Sequence, residues 1–117
     1  MRRIAFAALL LCSATAPVVA EVTGNDWKEY CAADEQTPKY ALCVGYLSGT
    51  LDGIRLMQRT TGSVILCEPP NGVTIPQWVA IIRRYFDQHP EQLHFVAASL
   101  VPKIVNGAFP CKPPKTQ

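Results

Sequence analysis

Four cysteines constrain this chain more than any other feature. Cys31, Cys43, Cys67 and Cys111 remain once the first twenty residues are set aside as a leader. An even number of cysteines in a small exported chain reads as two disulfides. Three pairings are open. The one expected is Cys31–Cys43 with Cys67–Cys111, because each bond would then tie neighbouring helical elements. In the chain-entropy picture each bond adds roughly 3–4 kcal/mol. That matters for a domain of fewer than 100 residues, whose core is modest.

The leader reading rests on residue order. Arg2 and Arg3 precede an uncharged apolar run, Ile4 to Leu11. Ala14-Thr15-Ala16 and Val18-Val19-Ala20 then both offer small residues for cleavage, and cleavage after Ala20 is expected. The apolar run is too short to span a bilayer, which takes about 20 residues. Cys12 follows Leu11, where a lipid-attachment signal needs a small residue, so acylation is not expected. Residues 21–117 are expected to form one helical domain with its core at about 26–111.

Removing the leader takes Arg2 and Arg3 with it and leaves nine basic and nine acidic residues. A neutral domain without a basic run has no electrostatic footprint for nucleic acid or for an anionic membrane surface.

Periodicity predicts an all-α fold, a compact bundle of about four to five short helices. The first starts near Asn25 or Asp26 and carries Trp27, Tyr30 and Cys31 on one face. Thr37-Pro38 is a cap followed by a proline at the first helical position, so the second helix runs from Pro38 to about Gln58. Its stripe is Tyr40, Cys43, Val44, Leu47, Leu51 and Ile54. Gly45, Gly49 and Gly53 recur every fourth residue on an adjacent face, at a cost of about 1 kcal/mol each against alanine. Close packing of another helix or a ring against bare backbone would offset that cost, and a tight dimer seam is the alternative. Lys39, Asp52 and Arg55 argue against a membrane seam of this spacing. Gln58 to Gly62 is polar and reads as a loop. Ser63 to Cys67 reads as an extended segment or a helical turn, and Glu68 to Gly72 as a turn.

Thr74-x-x-Gln77 matches a capping box, with Pro76 tolerated in the first turn of a third helix. Ile75, Trp78, Val79, Ile82, Tyr85 and Phe86 form its buried stripe, while Arg83 and Arg84 face water. His89-Pro90 ends it. A fourth helix is predicted from Pro90 to about Val105, with Leu93, Val96, Ala97, Leu100, Val101 and Ile104 inward. Pro102 should kink or break it, and Asn106-Gly107 should stop it. The tail from Lys112 to Gln117 reads as frayed.

No reactive constellation emerges. His89 and His94 lie about 140° apart on a helix, with no free thiolate to join them, so no metal site is expected. Oxidised cysteines leave no nucleophile. Gly45-Tyr46-Leu47-Ser48-Gly49 does not fit a serine elbow. Asp87 and Glu91 flank the His89-Pro90 hinge and could act as paired carboxylates in a small hydrolase, but hinge polarity and capping explain them more cheaply. Trp27, Trp78, Tyr85 and Phe86 could line an apolar groove, though core packing is the stronger expectation. The chain is therefore read as a non-enzyme without catalytic residues, metal or cofactor.

One series of motifs runs through the chain. It comprises Cys43-x-Gly45-Tyr46-Leu47-x-Gly49 with Asp52, Cys67-x-Pro69, Thr74-x-x-Gln77, His89-Pro90-Glu91-x-Leu93-His94, Leu100-Val101 and Ala108-Phe109-Pro110-Cys111. In order and spacing it resembles the Rap1a/Tai family of type VI secretion immunity proteins, over about residues 26 to 111. The resemblance implies a small helical periplasmic protein with disulfides, often a homodimer. It implies a binding role, in which the protein sits on a peptidoglycan amidase effector and blocks its active site. Pro102 departs from the uninterrupted last helix of such a pattern. A general periplasmic structural or chaperone-like protein is the alternative. With the helical stripes committed to the core, partner contacts are expected in Gln58 to Ser63 and Asp87 to Glu91, chiefly Gln58, Arg59, Asp87, Gln88, His89 and Glu91.

Overall fold

A computed structural model describes residues 20–69 and 71–112. The leader, with Cys12, lies outside the described residues apart from Ala20, as does the tail beyond Lys112. Four α-helices follow in order: α1 (Gly24–Ala32), α2 (Pro38–Thr61), α3 (Ile75–Gln88) and α4 (Ala97–Ala108), with a short 3-10 turn at Pro90–Gln92. The fold is all-α, and among the described residues there is no strand beyond a single antiparallel bridge, Thr23 to Val96.

The helices begin where side chains satisfy their free backbone donors. At α3, the Thr74 hydroxyl accepts from the Gln77 N–H, and the Gln77 amide oxygen accepts from the Thr74 N–H at 2.8 Å. Thr37 caps α2 ahead of Pro38. The start of α1 differs from the expected one. Its cap is Thr23, two to three residues earlier than Asn25 or Asp26, and Asp26 instead closes the box from the third helical position by accepting the Thr23 N–H at 2.8 Å.

Each helix gives one stripe to a common core. Trp27 and Cys31 enter from α1, and Cys43, Leu47 and Leu51 from α2. Trp78, Val79, Ile82 and Phe86 enter from α3, and Ala97, Leu100, Val101, Ile104 and Val105 from α4. Each buried Val, Leu, Ile or Phe side chain contributes roughly 1.5–3 kcal/mol through burial. Trp27 is the hub. Its ring meets Phe86 edge-on at 5.6 Å and Tyr46 at 5.2 Å, and its indole N–H donates to the Cys43 carbonyl at 3.2 Å. Trp78 packs edge-on to Phe109 at 5.7 Å. Trp27, Trp78 and Phe86 are core, with Tyr46, Tyr85 and Phe109 partly buried against it. Ile75 and Val96, placed inward by periodicity, are exposed at 39% and 37%. Ile75 opens α3 above the core, and Val96 precedes α4 with its backbone committed to the bridge.

Cys31–Cys43 joins α1 to α2 and Cys67–Cys111 joins the segment after α2 to the chain beyond α4, with Cα–Cα distances of 4.9 and 5.0 Å.

Several expected boundaries are corrected. The helix expected from Pro90 is a 3-10 turn, and α4 begins only at Ala97. The backbone between them is used elsewhere: Leu93 and Phe95 accept from the Asn25 and Gly24 N–H groups at 2.8 and 2.9 Å, and Ala97 donates to Val22 at 2.8 Å. The late start leaves Pro102 in the second turn of α4, which runs through it unbroken. Asn106-Gly107 does not stop α4, which ends at Ala108. The Asn106 side chain instead accepts from the Cys67 N–H at 2.9 Å and donates to the Ile65 carbonyl at 2.8 Å. Ser63 to Cys67 is thus neither helix nor strand, and the Asn106 side chain holds it to α4. The expected loop at Gln58 is the last turn of α2, which ends at Thr61 on Gly62, a residue in the left-handed region with φ 72°. Arg83 remains exposed, but its guanidinium donates to the Cys31 carbonyl at 2.6 Å and so caps the C-terminal end of α1.

The glycine expectation also changes. Gly45, Gly49 and Gly53 lie on the outer side of α2, and a Cβ at any of them would meet nothing within 4 Å. Among the described residues, no helix or ring packs on them.

Candidate partner-binding surface

The C-terminal end of α2 builds one groove. The left-handed turn at Gly62 reverses the chain, and Ser63 to Glu68 returns alongside the helix. Gln58 makes the return possible, since its amide oxygen accepts from the N–H groups of both Ile65 and Leu66. Arg55 ties down the far end with a two-pronged contact to Glu68, Nε to Oε2 at 2.9 Å and Nη2 to Oε1. A second contact to Asp52 lies at 3.1 Å. The Glu68 hydrogen bond, outweighing burial, raises the Arg55 pKa above its ordinary value. Between these ties lies an open groove of about 450 Å³, lined by Arg55, Gln58, Arg59, Ser63, Val64 and Glu68 among others. Val64 stands out of it at 80% exposure, and Arg59 makes no ion pair among the described residues.

The hinge after α3 builds a second surface. Tyr85 donates to the Gln92 amide oxygen at 2.6 Å, and its ring lies 4.4 Å from that of His89. His89 Nδ1 is 3.2 Å from Glu91 Oε1. The Glu91 carboxyl is held below its ordinary value, first by a backbone hydrogen bond and then by His89 and Gln92. Burial raises the Tyr85 phenol. Gln88 and His89 edge a small groove of about 140 Å³ against Ile104, Gly107 and Ala108. Asp87 faces the other way, toward a groove of about 260 Å³ with Lys28, Ala32, Arg83 and Phe86, and lies 3.4 Å from the Lys28 ammonium.

The expected contact residues therefore fall on separate surfaces. Gln58 and Arg59 share one groove, Gln88 and His89 edge a second, and Asp87 lines a third. Gln58 is engaged by backbone, whereas Arg59, Asp87, Gln88 and Glu91 are exposed. Asp87 pairs with Lys28, and Glu91 pairs with His89. Among the described residues no cluster of three or more histidine, cysteine or acidic side chains could hold a metal ion. Sequence reasoning missed Val64, because a short apolar run between turn signals looks like an interior segment. Its exposure follows from the tie at Gln58, which turns Ile65 and Leu66 inward and leaves Val64 at the tip.

No helix among the described residues is long and apolar enough to cross a membrane. A family model described as Rap1a immunity proteins matches residues 23–111, from the cap of α1 to the last cysteine. No curated protein and no solved structure matches the chain.

Proposed function

Because the chain belongs to the Rap1a immunity protein family, we propose that it is a periplasmic inhibitor of a type VI secretion effector that cleaves peptidoglycan as an amidase. The family match across 23–111 carries this reading, since it spans all four helices and both disulfides. Immunity proteins of this kind are inhibitors and not enzymes. They act by occupying a protein partner. The leader-like N-terminus and the two disulfides support an oxidising compartment, reached by export and cleavage after Ala20. A homodimer belongs to the same reading.

Protection would be steric. A rigid bundle laid across a substrate cleft excludes the cell-wall strand without chemistry of its own. The contact residues we propose are Arg59 at the α2 groove and Asp87, Gln88, His89 and Glu91 at the hinge, with Gln58 acting behind the surface by fixing the backbone that carries Val64. Exposed charges of this kind set association rate and specificity more than raw affinity.

The test is a pull-down with the tagged chain from Glu21 onward in lysate containing the product of the adjacent gene, followed by a peptidoglycan-hydrolysis assay on that product. One partner held at high salt, and silenced at a one-to-one ratio, supports the reading. Failure to bind or silence it overturns the amidase assignment. Many weak, salt-sensitive partners would instead fit the chaperone-like alternative. Arg59→Ala and Glu91→Ala variants that inhibit as well as the parent would remove those contacts.

A further inference from the structure

Two asparagines in the chain are followed by glycine, Asn71-Gly72 and Asn106-Gly107. Such a pair is open to attack on itself. The backbone nitrogen of the second residue reaches the side-chain amide of the first, and glycine puts no Cβ in the way. By sequence the two pairs are alike. The fold separates them.

Asn106 is held on both sides of its amide. The oxygen accepts from the Cys67 N–H at 2.9 Å, and the nitrogen donates to the Ile65 carbonyl at 2.8 Å. The pair lies inside α4. There the Gly107 N–H belongs to the helical ladder, and the Asn106 side chain tilts toward the helix N-terminus, away from the next nitrogen.

Asn71 and Gly72 sit in the bend before α3, and both are exposed. The hydrogen bonds that flank them join Glu68 to Arg55 and Thr74 to Gln77. Among the described residues, none falls on Asn71 or Gly72 themselves. A Cβ at Gly72 would meet nothing within 4 Å. The amide is free to turn, and the Gly72 N–H is free to react.

We propose that Asn71-Gly72 is a site of self-modification, at which the asparagine passes through a cyclic imide to aspartate and isoaspartate while the protein stays folded. The Gly72 nitrogen gives its proton to solvent base and bonds to the Asn71 Cγ. The bond from Cγ to the amide nitrogen breaks, and that nitrogen leaves as ammonia with a proton from water. Water then opens the five-membered imide. Opening at Cγ restores the backbone and leaves aspartate. Opening at the main-chain carbonyl carbon routes the backbone through the side chain and leaves isoaspartate. Water is consumed, ammonia is released, and nothing is oxidised or reduced.

The ties on either side contain the change. Cys67 is fixed by its disulfide and by Asn106, and Thr74 by its capping box. Among the described residues between them, none is buried. The extra backbone methylene of isoaspartate therefore falls where no core side chain has to move. The new carboxylate enters the rim of two grooves. One, of about 250 Å³, is shared with Arg55, Glu68 and Trp78, and the other, of about 480 Å³, with Ile81 and Phe109. The folded protein thus gains a negative charge beside the Arg55–Glu68 tie.

Peptide mapping of the oxidised chain from Glu21 onward, kept for days to weeks in warm, mildly alkaline buffer, tests this. Trypsin places the two pairs in separate fragments, 60–83 and 104–115. Conversion of amide to acid is read as a mass gain, and isoaspartate by enzymatic methylation of its carboxylate. Position 71 should convert at least about tenfold faster than position 106, whose reaction waits on opening of α4. In the reduced chain unfolded by denaturant, that gap should close. Gly72→Ala has room for its methyl group; it should melt with the parent and convert more slowly, and Asn71→Gln should not convert. The converted parent should melt with the fresh one. Equal rates at the two positions in the folded chain, no conversion at 71, or a Gly72→Ala chain as fast as the parent would overturn the site. A converted chain that has unfolded would overturn its containment within the bend.

Discussion

The same substitution, glycine to alanine, should have opposite signs at positions 24 and 49. Gly24 is the first residue of α1 and is buried. Its N–H donates to the Phe95 carbonyl at 2.9 Å, and an added Cβ would lie 2.9 Å from both the Cα and the carbonyl oxygen of Leu93 and 3.0 Å from Leu100 Cδ1. Two of those three atoms are backbone, and they are held by the Asn25-to-Leu93 hydrogen bond, so they cannot swing aside as a side chain would. Overpacking of this kind costs about 1–3 kcal/mol. Gly49 has helical neighbours and empty space, so alanine there should add up to about 1 kcal/mol. For a domain of this size 1 kcal/mol moves the melting temperature by roughly 4–8 °C. Gly24→Ala should therefore melt about 4–24 °C below the parent and Gly49→Ala up to about 8 °C above it. Circular dichroism in dilute solution, with disulfides intact, makes the comparison. A Gly24→Ala variant that melts at or above the parent would refute the close seating of α1 on Leu93. A Gly49→Ala variant that melts lower under those dilute conditions would refute the open face.

Other tests bear on the ties around the bundle. Asn106→Ala removes the partners of the Cys67 N–H and the Ile65 carbonyl, at a cost of about 1–3 kcal/mol; amide exchange at Cys67 should rise, and unchanged exchange would show that the segment does not depend on Asn106. Replacing Cys67 and Cys111 together by serine opens a span of 44 residues, against 12 for Cys31 and Cys43. The first pair should cost about 4 kcal/mol and the second about 3 by denaturant unfolding, and the reverse order would count against the loop-entropy account. Asp26 is held below its ordinary carboxyl value by the Thr23 hydroxyl and then the Thr23 N–H. Its folded value lies below the unfolded one, so its capping contribution is complete above about pH 4 and fades as pH falls through the folded value. Asp26→Asn should therefore flatten the melting profile on the acid side, and a variant profile parallel to the parent's would contradict the box.

Local chemistry made parts of this fold legible. Thr74 with Gln77 and Thr37 with Pro38 mark helix starts because a cap involves residues three apart. The core stripe of α3 was readable except at Ile75, which sits in the first turn, above the packed layer. The late start of α4 was not readable, because the carbonyls of Leu93 and Phe95 are taken by residues about 70 positions earlier. Nor does any local pattern tell an asparagine that ends a helix from one that clips a distant segment of chain, which is what Asn106 does. Gln58 and Arg59 were recognised as polar neighbours. Only the left-handed turn at Gly62 shows that one is turned toward backbone while the other points out.

The order of the two disulfides has a consequence for how the protein is made. The bonds join first cysteine to second and third to fourth. For a chain delivered N-terminus first into an oxidising space, neighbours meet in sequence as they emerge. Cys31 would then find Cys43 before Cys67 arrived, leaving Cys67 only Cys111 to meet. In a chain so delivered, the native pairing would coincide with the order of arrival, so correct bonds could form without later reshuffling.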